Sequence, residues 1–134
     1  MIVVDASAML EVLLNRPSGE RVAQRLLDPL EVLHAPHLID LEIAQALRRY
    51  QAAGEMRPQR ARQALLAFVQ MPLERHPHWP FLARIWELRR NVTAYDAAYV
   101  VLAEALDAPL LTCDRALARA PGHRAVVELM DAEG

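Results

Sequence analysis

The sequence predicts an α/β fold in which helices cover both faces of a parallel sheet. Short apolar runs suited to buried strands alternate along the chain with longer segments of helical apolar spacing. The chain starts with such a run, Met-Ile-Val-Val, and a helical segment follows directly. Because strands separated by helices pair in parallel through right-handed crossovers, we expect one central sheet of four to five strands.

The strands are expected where short apolar runs are bounded by turn or helix-start residues. The segment around Arg75 to Pro80 is the least regular part of the chain and is expected to be a surface connection, which leaves room for only a brief strand before it. The expected strands are residues 2–4, 31–35, 73–76, 108–113 and 125–129.

The helices are expected from apolar spacing together with boundary residues. Ile39 and Ile43 recur one turn apart, and Gly54 provides a left-handed stop for that helix. Pro58 suits the first turn of the next helix, and Ser18 is expected to cap an earlier one. The expected helices are residues 7–14, 19–28, 37–53, 58–69, 79–90, 93–106 and 115–120.

Length and composition predict a single soluble domain over residues 1–134. A chain of 134 residues can bury one sizeable core but not two, and no apolar run approaches the roughly 20 residues of a membrane span. The N-terminus has no basic region typical of a signal peptide. A single cysteine, Cys113, suggests a buried, inert thiol in a reducing compartment. We therefore expect a cytoplasmic protein.

All 15 basic residues are arginines, and this excludes several classes of site. Phosphate-binding loops of the Walker type, Schiff-base enzymes and phospho-acceptor receiver domains all depend on a lysine. The net charge of −2 argues against broad electrostatic attraction to nucleic acid. Any phosphate contacts must therefore come from local arginines.

Four acidic residues stand where strands or apolar helices would bring them together. Asp5 and Asp114 each close an apolar strand, and in an open parallel sheet functional groups collect at the carboxyl ends of the strands. Asp96 lies in the first turn of an apolar helix, and Glu42 borders the buried face of another. The pattern predicts an acidic pocket.

Such a pocket calls for a hard divalent cation. Two carboxylates about 4 Å apart repel by roughly 4 kcal/mol at an effective dielectric constant near 20. Magnesium or manganese takes oxygen ligands and relieves this repulsion, whereas zinc prefers histidine or cysteine. A histidine metal site is not expected, because none of the histidines shows a paired spacing: His34, His37, His76, His78 and His123.

Each acidic residue also has a local structural interpretation. Asp5 and Asp114 could cap helices, and Thr93 with Asp96 matches a capping box. Glu42 is different, because Leu38 and Ala46 lie one turn to either side of it and an unpaired carboxylate on a buried face is costly. It therefore needs a partner. Asp40, on the other side of the same helix, is the best competitor for its role.

Taken together, these segments resemble PIN-domain ribonucleases, in particular the VapC toxins of toxin–antitoxin pairs. Each segment alone is unspecific, but four in this order and at these separations are a strong signal over nearly the whole chain. The segments are Val4-Asp5-Ala6-Ser7, Asp40-Leu41-Glu42-Ile43, Thr93-Ala94-Tyr95-Asp96-Ala97-Ala98-Tyr99 and Leu111-Thr112-Cys113-Asp114.

The resemblance implies a three-layer α/β/α fold and a homodimer. It also implies endonuclease activity on RNA that depends on Mg²⁺ or Mn²⁺, and neutralisation by a small VapB antitoxin. Position by position, the residues that match the family's acidic quartet are Asp5, Glu42, Asp96 and Asp114, with Asp5 and Asp96 as direct metal ligands. Ser7 and Thr112 match hydroxyl positions that support the quartet.

Arginines and aromatic residues near these segments have two interpretations each. Arg16 and Arg115 are candidates for binding phosphates that flank the cleaved bond. A helix carrying Arg57, Arg60 and Arg62 is either a solvated face or a patch that meets RNA or a partner. The aromatic residues expected in the core or in a dimer contact are Trp79, Phe81 and Trp86.

Two other functions compete with the nuclease. A non-catalytic module on the same scaffold could dock an arginine of a partner protein in the acidic pocket, and it would bind without turnover. A phosphatase of the haloacid dehalogenase type would need a second aspartate two residues after Asp5, where this chain has Ser7.

Overall fold

The computed structural model describes residues 1–130 and has the predicted three-layer α/β/α architecture around a five-stranded parallel sheet. The final residues of the expected domain, 131–134, lie outside the described part. The strands are β1 (Ile2–Val4), β2 (Leu33–Pro36), β3 (Leu73–His76), β4 (Leu110–Thr112) and β5 (Val127–Leu129). The helices are α1 (Ala6–Leu13), α2 (Gly19–Leu26), α3 (Leu38–Ala52), α4 (Pro58–Val69), α5 (Leu82–Glu87), α6 (Ala94–Leu106) and α7 (Arg115–Arg119).

The order of the strands determines where a site can form. The sheet runs β3-β2-β1-β4-β5, so the chain builds outward from β1 in one direction and then returns to build in the other. Val4 of β1 pairs with Leu111 of β4. The point where the strand order reverses therefore lies between β1 and β4, and in open α/β sheets ligands bind beyond the carboxyl ends of the strands at this point.

The core is centred on β1 and α6. All three residues of β1 are fully buried, as expected for the middle strand of a parallel sheet covered on both faces. Seven consecutive residues of α6, Ala97–Ala103, are buried as well. This helix packs against β1, β2 and β4. No helix within residues 1–130 is both long and apolar enough to cross a lipid bilayer.

Helix boundaries that depend on local chemistry lie where the sequence predicts them. Gly54 follows α3 with a φ of +75°, which is the left-handed conformation that ends a helix. Pro58 opens α4, and the Thr93 side chain accepts a hydrogen bond from the Asp96 amide at the start of α6. Ser18 occupies the position before α2, but its side chain makes no capping hydrogen bond.

Besides small differences in bounds, two predicted elements differ clearly from the structure. The second strand begins at Leu33 rather than residue 31, and Val32, within the expected range, is 46% exposed. The helix expected over residues 79–90 is a short 3₁₀ helix followed by α5, which ends at Glu87. Trp79 and Trp86 are 71% and 67% exposed, so their assignment to the core was wrong, whereas a dimer contact stays a prediction.

Candidate active site

Asp5 is a buried carboxylate at the carboxyl end of β1. It precedes α1 and accepts a hydrogen bond from the Ala8 amide at 3.0 Å, which caps that helix. The Ser7 hydroxyl donates to one carboxylate oxygen at 2.7 Å, and the Thr112 hydroxyl donates to the other at 2.6 Å. Asp5 is only 5% exposed, and three hydrogen-bond donors hold its carboxylate in one orientation.

Ser7 and Thr112 connect the ends of β1 and β4. Thr112 is fully buried, and its hydroxyl oxygen accepts a hydrogen bond from the Asp114 amide at 3.0 Å. The Ser7 hydroxyl oxygen accepts one from the Cys113 amide, also at 3.0 Å. These bonds tie the turn after β4 to the carboxylate after β1. The two hydroxyl positions therefore have a structural basis for supporting the acidic pocket.

Asp114 caps α7 and lies beside this junction. One of its carboxylate oxygens accepts hydrogen bonds from the amides of Ala116 at 2.9 Å and Leu117 at 3.3 Å. The local interpretation of Asp5 and Asp114 as helix caps is therefore correct. It does not compete with a site, because each carboxylate retains acceptor positions beyond those its helix uses.

Glu42 finds the partner that its position on α3 requires. The Tyr99 hydroxyl of α6 donates a short hydrogen bond to Glu42 Oε1. Tyr99 is only 2% exposed, so its hydroxyl also needs this bond. The competitor Asp40 points elsewhere: it binds Arg75 of β3 at 2.8 Å. Glu42 therefore faces α6 whereas Asp40 faces β3, and the assignment of Glu42 to the acidic site stays a prediction.

The four carboxylates are close enough to affect one another, and Asp96 is central to this coupling. Burial is the main cause that raises the pKa of Asp96, and repulsion from Asp114 raises it further. Burial also raises the pKa of Glu42, and Asp96 adds to that rise. Asp5 has a pKa of about 6, mainly through burial, again with a contribution from Asp96. The groups converge on one region rather than scattering over the molecule.

The quartet is nevertheless open rather than tightly closed. Within residues 1–130, no three members of the quartet have carboxylate oxygens that all lie within 4.8 Å of one another. An open arrangement suits Mg²⁺ or Mn²⁺, which usually keeps several waters and takes only one or two protein carboxylates.

A pocket of about 350 Å³ lies along α1 and α3, and of the four acidic residues Glu42 lines it. Arg16 lines it and stacks over the Tyr50 ring, with its guanidinium carbon 4.7 Å from the ring centre. Arg16 is therefore placed to meet a substrate that occupies the pocket. Arg115, the other candidate, is the exposed first residue of α7, next to Asp114. The remaining lining residues include Ser7, Glu11, Arg49 and Cys113.

Tyr99 is the site residue that the sequence reasoning assigned only to an apolar helix. A signal for it exists: Tyr99 lies three residues after Asp96, so both project from the same face of α6. Burial raises the pKa of Tyr99, and the nearby carboxylates of Glu42, Asp5 and Asp96 raise it further, so the hydroxyl stays protonated as a donor.

Other expectations need correction. Cys113 is half-buried and lines the pocket instead of being enclosed in the core. Arg60 donates to the Leu13 carbonyl at 3.0 Å, so this arginine joins α4 to the end of α1, whereas Arg57 and Arg62 are exposed. His76 ends β3, as expected for the strand over residues 73–76, and its ring nitrogen lies 2.8 Å from that of His34. Spacing along the chain did not indicate this pair, because strand register joins residues 42 positions apart.

Comparison with known proteins agrees with this geometry. A family model described as PIN domain matches residues 2–123. The chain belongs to the PIN-domain family. Relatives of this PIN domain include Ribonuclease VapC12 of Mycobacterium tuberculosis, 41% identical over 130 residues that cover 97% of this chain and 99% of the relative. Ribonuclease VapC1 of the same species is 44% identical over 129 residues, or 96% of each chain. The expected membership of the VapC group is confirmed.

Solved structures show the same fold at lower identity. The PIN domain superposes on a chain of the crystal structure of VapBC2 from Rickettsia felis bound to a promoter DNA fragment, with a TM-score of 0.72 and 16% identity over 98% of this chain and 100% of that one. PAE2754 from Pyrobaculum aerophilum gives a TM-score of 0.70 and 22% identity over 98% of this chain and 83% of that one.

Proposed function

We propose that this PIN domain is the toxin of a toxin–antitoxin pair and an endoribonuclease that depends on Mg²⁺ or Mn²⁺. The observation that carries the proposal is the convergence of four carboxylates, coupled through Asp96, at the strand-order reversal of the sheet. Relatives 41–46% identical named as VapC ribonucleases support the same activity. The raised pKa values of Asp5, Glu42 and Asp96 fit a site that gains stability from a cation.

The donor set fits a hard dication. Its candidate ligands are carboxylate oxygens, which suit Mg²⁺ and Mn²⁺ better than zinc. We assign Asp5 and Asp96 as the direct ligands. Glu42 and Asp114 would complete the pocket and position water. A bound ion would polarise a phosphate oxygen and lower the pKa of a coordinated water.

The side chains around the acidic pocket have separate roles in this proposal. Ser7 and Thr112 orient Asp5 through the two hydroxyl donors described above. Tyr99 orients Glu42. Arg16 and Arg115 would contact phosphates that flank the cleaved bond, since a guanidinium can bind phosphate oxygens through two parallel hydrogen bonds. We expect products with 5′-phosphate and 3′-hydroxyl ends.

The partners are proposed on the same basis. We propose a small VapB-type antitoxin as partner, because this chain shares the fold of a chain in the VapBC2 structure. We also propose a homodimer and a cytoplasmic location. Coexpression with the protein from a short neighbouring reading frame should relieve the growth arrest that this chain causes alone.

The direct test is RNA cleavage by the purified protein with Mg²⁺, with Mn²⁺ and with a chelator. We expect cleavage only with a metal, and a loss of more than about 100-fold in Asp5→Asn and Asp96→Asn, because even outer-shell changes at metal sites cost 10–100-fold. Asp107→Asn is the matched control: Asp107 ends the same helix as Asp96 in a left-handed conformation that asparagine also adopts.

Unchanged metal-dependent cleavage by either pocket variant would refute its assignment. Binding of an arginine-bearing partner in the pocket, without any turnover on RNA, would instead favour the non-catalytic module.

A further inference from the structure

His34, Glu74 and His76 share one face of the sheet, at the pairing of β2 with β3. His34 pairs with Glu74, and Pro36 pairs with His76. Because side chains alternate faces with a period of two, this register places all three on the same side. Arg75 lies between them and occupies the other face, where it contacts Asp40 of α3 and the Phe68 ring of α4.

The ligand atoms of these residues converge. His34 Nδ1 is 2.8 Å from His76 Nε2 and 3.7 Å from Glu74 Oε2, and the three ligand atoms all lie within 4.8 Å of one another. Zinc bonds to histidine nitrogen are about 2.0–2.1 Å long, so two nitrogens on a tetrahedral zinc lie roughly 3.3 Å apart. A shift of about half an ångström by His76 would open this distance.

The burial of the cluster is graded, which provides an entry path. The His34 side chain is 7% exposed and the Glu74 side chain is 65% exposed. His76, between these extremes, is half-buried. An ion could therefore reach the buried imidazole from the side of Glu74 and His76. The opposite His34 nitrogen, Nε2, is buried without a hydrogen-bond partner, so this ring is not held in place by a bond on its far side.

The electrostatics favour the ligand form of the histidines. Burial lowers the pKa of His34, and His76 and the N-terminal ammonium lower it further, while Glu74 raises it. Both rings cannot carry a proton on the nitrogens that face each other at 2.8 Å. Neutral imidazole is the form that binds metals. Glu74 supplies the one negative charge that compensates a dication.

We propose that His34, Glu74 and His76 form a second metal site, which binds a transition-metal dication of the Zn²⁺ class with a fourth position open to water. Two imidazoles and one carboxylate suit zinc and are a poor set for Mg²⁺. The site shares no residue with the acidic pocket, and it goes beyond the proposed nuclease. A bound ion would connect the edge strand β3 to β2. Because the ion would bind only the folded chain, it would stabilise the folded state by mass action.

The test is titration of metal-free, full-length protein with ZnCl₂ in the presence of excess Mg²⁺, read by calorimetry and thermal unfolding. Co²⁺ replaces Zn²⁺ in a parallel titration, because tetrahedral coordination gives a strong visible absorption. We expect one Zn²⁺ per chain and a higher Tm. His76→Gln should weaken binding by about 100-fold and Glu74→Gln by about 10-fold, in the range found when metal-site groups are removed.

Two controls separate this site from others. His78→Gln removes an exposed histidine two residues beyond the cluster and should bind Zn²⁺ like the original protein. The Asp5→Asn, Asp96→Asn double variant should do the same, because it alters only the acidic pocket. Circular dichroism verifies folding, and Glu74 is exposed enough for its replacement to be tolerated.

Three results would overturn the proposal: no Zn²⁺ binding by the original protein, equal binding by His76→Gln and His78→Gln, or loss of binding in the double aspartate variant. The nuclease proposal is tested separately, because RNA cleavage in Mg²⁺ should be the same in His76→Gln and His78→Gln. Absent cleavage with intact Zn²⁺ binding would count against the nuclease alone.

Discussion

Asp5 shows how a buried carboxylate can work against stability. Its three hydrogen-bond donors favour the charged form, yet burial dominates and its pKa is about 6 instead of 3.8. At neutral pH Asp5 is therefore ionised in the folded chain, although its buried surroundings favour the neutral acid. A cation in the pocket would reverse this balance.

We predict that Asp5→Asn raises the free energy of unfolding of the metal-free protein at pH 7.5 by up to about 3 kcal/mol, since the pKa rises from 3.8 to about 6 and each unit is worth about 1.4 kcal/mol. Asparagine retains an oxygen that can cap α1. Because the folded state binds this proton more tightly than the unfolded chain, the original protein should lose stability as pH rises from about 4 to about 6. Urea unfolding at several pH values checks both effects. A less stable variant at pH 7.5 would show that the charge is already compensated.

We predict that Tyr99→Phe lowers RNA cleavage by about 10-fold, because the net value of a hydrogen bond to a charged group is about 1.5–3 kcal/mol. Loss of this bond should also raise the pKa of Glu42, since the bond now lowers it. The acidic limb of the rate profile should therefore move to higher pH. Tyr95→Phe, on the exposed side of the same helix, is the control. An equal effect in both variants would assign Tyr99 a structural role only.

At the scale of elements, the short helix α7 depends on its first carboxylate. Asp114 is the only residue before the helix whose side chain accepts hydrogen bonds from its first-turn amides, as far as residues 1–130 show. The same side chain raises the pKa of Asp96. Capping and charge can be separated because asparagine caps as well as aspartate does.

We predict that Asp114→Ala lowers the free energy of unfolding by about 1 kcal/mol, the usual cost of losing a cap. Asp114→Asn should leave stability nearly unchanged. Both variants should lose metal-dependent cleavage, because the metal pocket needs the charge. Chemical unfolding and the RNA assay, measured on the same preparations, test this. Full activity in Asp114→Asn would remove Asp114 from the metal site.

At the scale of the whole molecule, a row of large apolar side chains lies outside the core. Trp79, Leu82 and Trp86 are each more than half exposed on the 3₁₀ helix and α5. Tryptophan is enriched in protein interfaces because one face can be buried while its N–H stays hydrogen-bonded. These residues are candidates for the expected homodimer contact.

We predict that Trp86→Arg converts a dimer to a monomer, as measured by light scattering coupled to size-exclusion chromatography. The exposed charge would be placed in an apolar contact without a partner. Val69→Arg, at a residue of similar exposure on α4, is the control. A dimer that persists in Trp86→Arg, or dissociates in Val69→Arg, would place the interface elsewhere.

Features that depend on neighbours along the chain were accessible from the sequence. Gly54 ends α3 and Pro58 starts α4 because of the backbone preferences of these single residues. Thr93 caps α6 by accepting a hydrogen bond from an amide three positions away. The positions of Asp5 and Asp114 followed from strand endings, since parallel strands present their carboxyl ends at one edge. The pattern of apolar runs did not show that α5 stops early, because Trp86 of α5 and Trp79 of the preceding 3₁₀ helix face outward.

By itself, the sequence determined the α/β class and the parallel sheet and predicted four acidic site residues, because these follow from periodicity and from chemistry local to each segment. Only the tertiary structure decided that Glu42 meets Tyr99, that Asp40 is bound by Arg75, and that His34 meets His76. Those pairs depend on strand register and on how helices lie against one another. A one-residue slip of a strand would turn the same side chains to the opposite face.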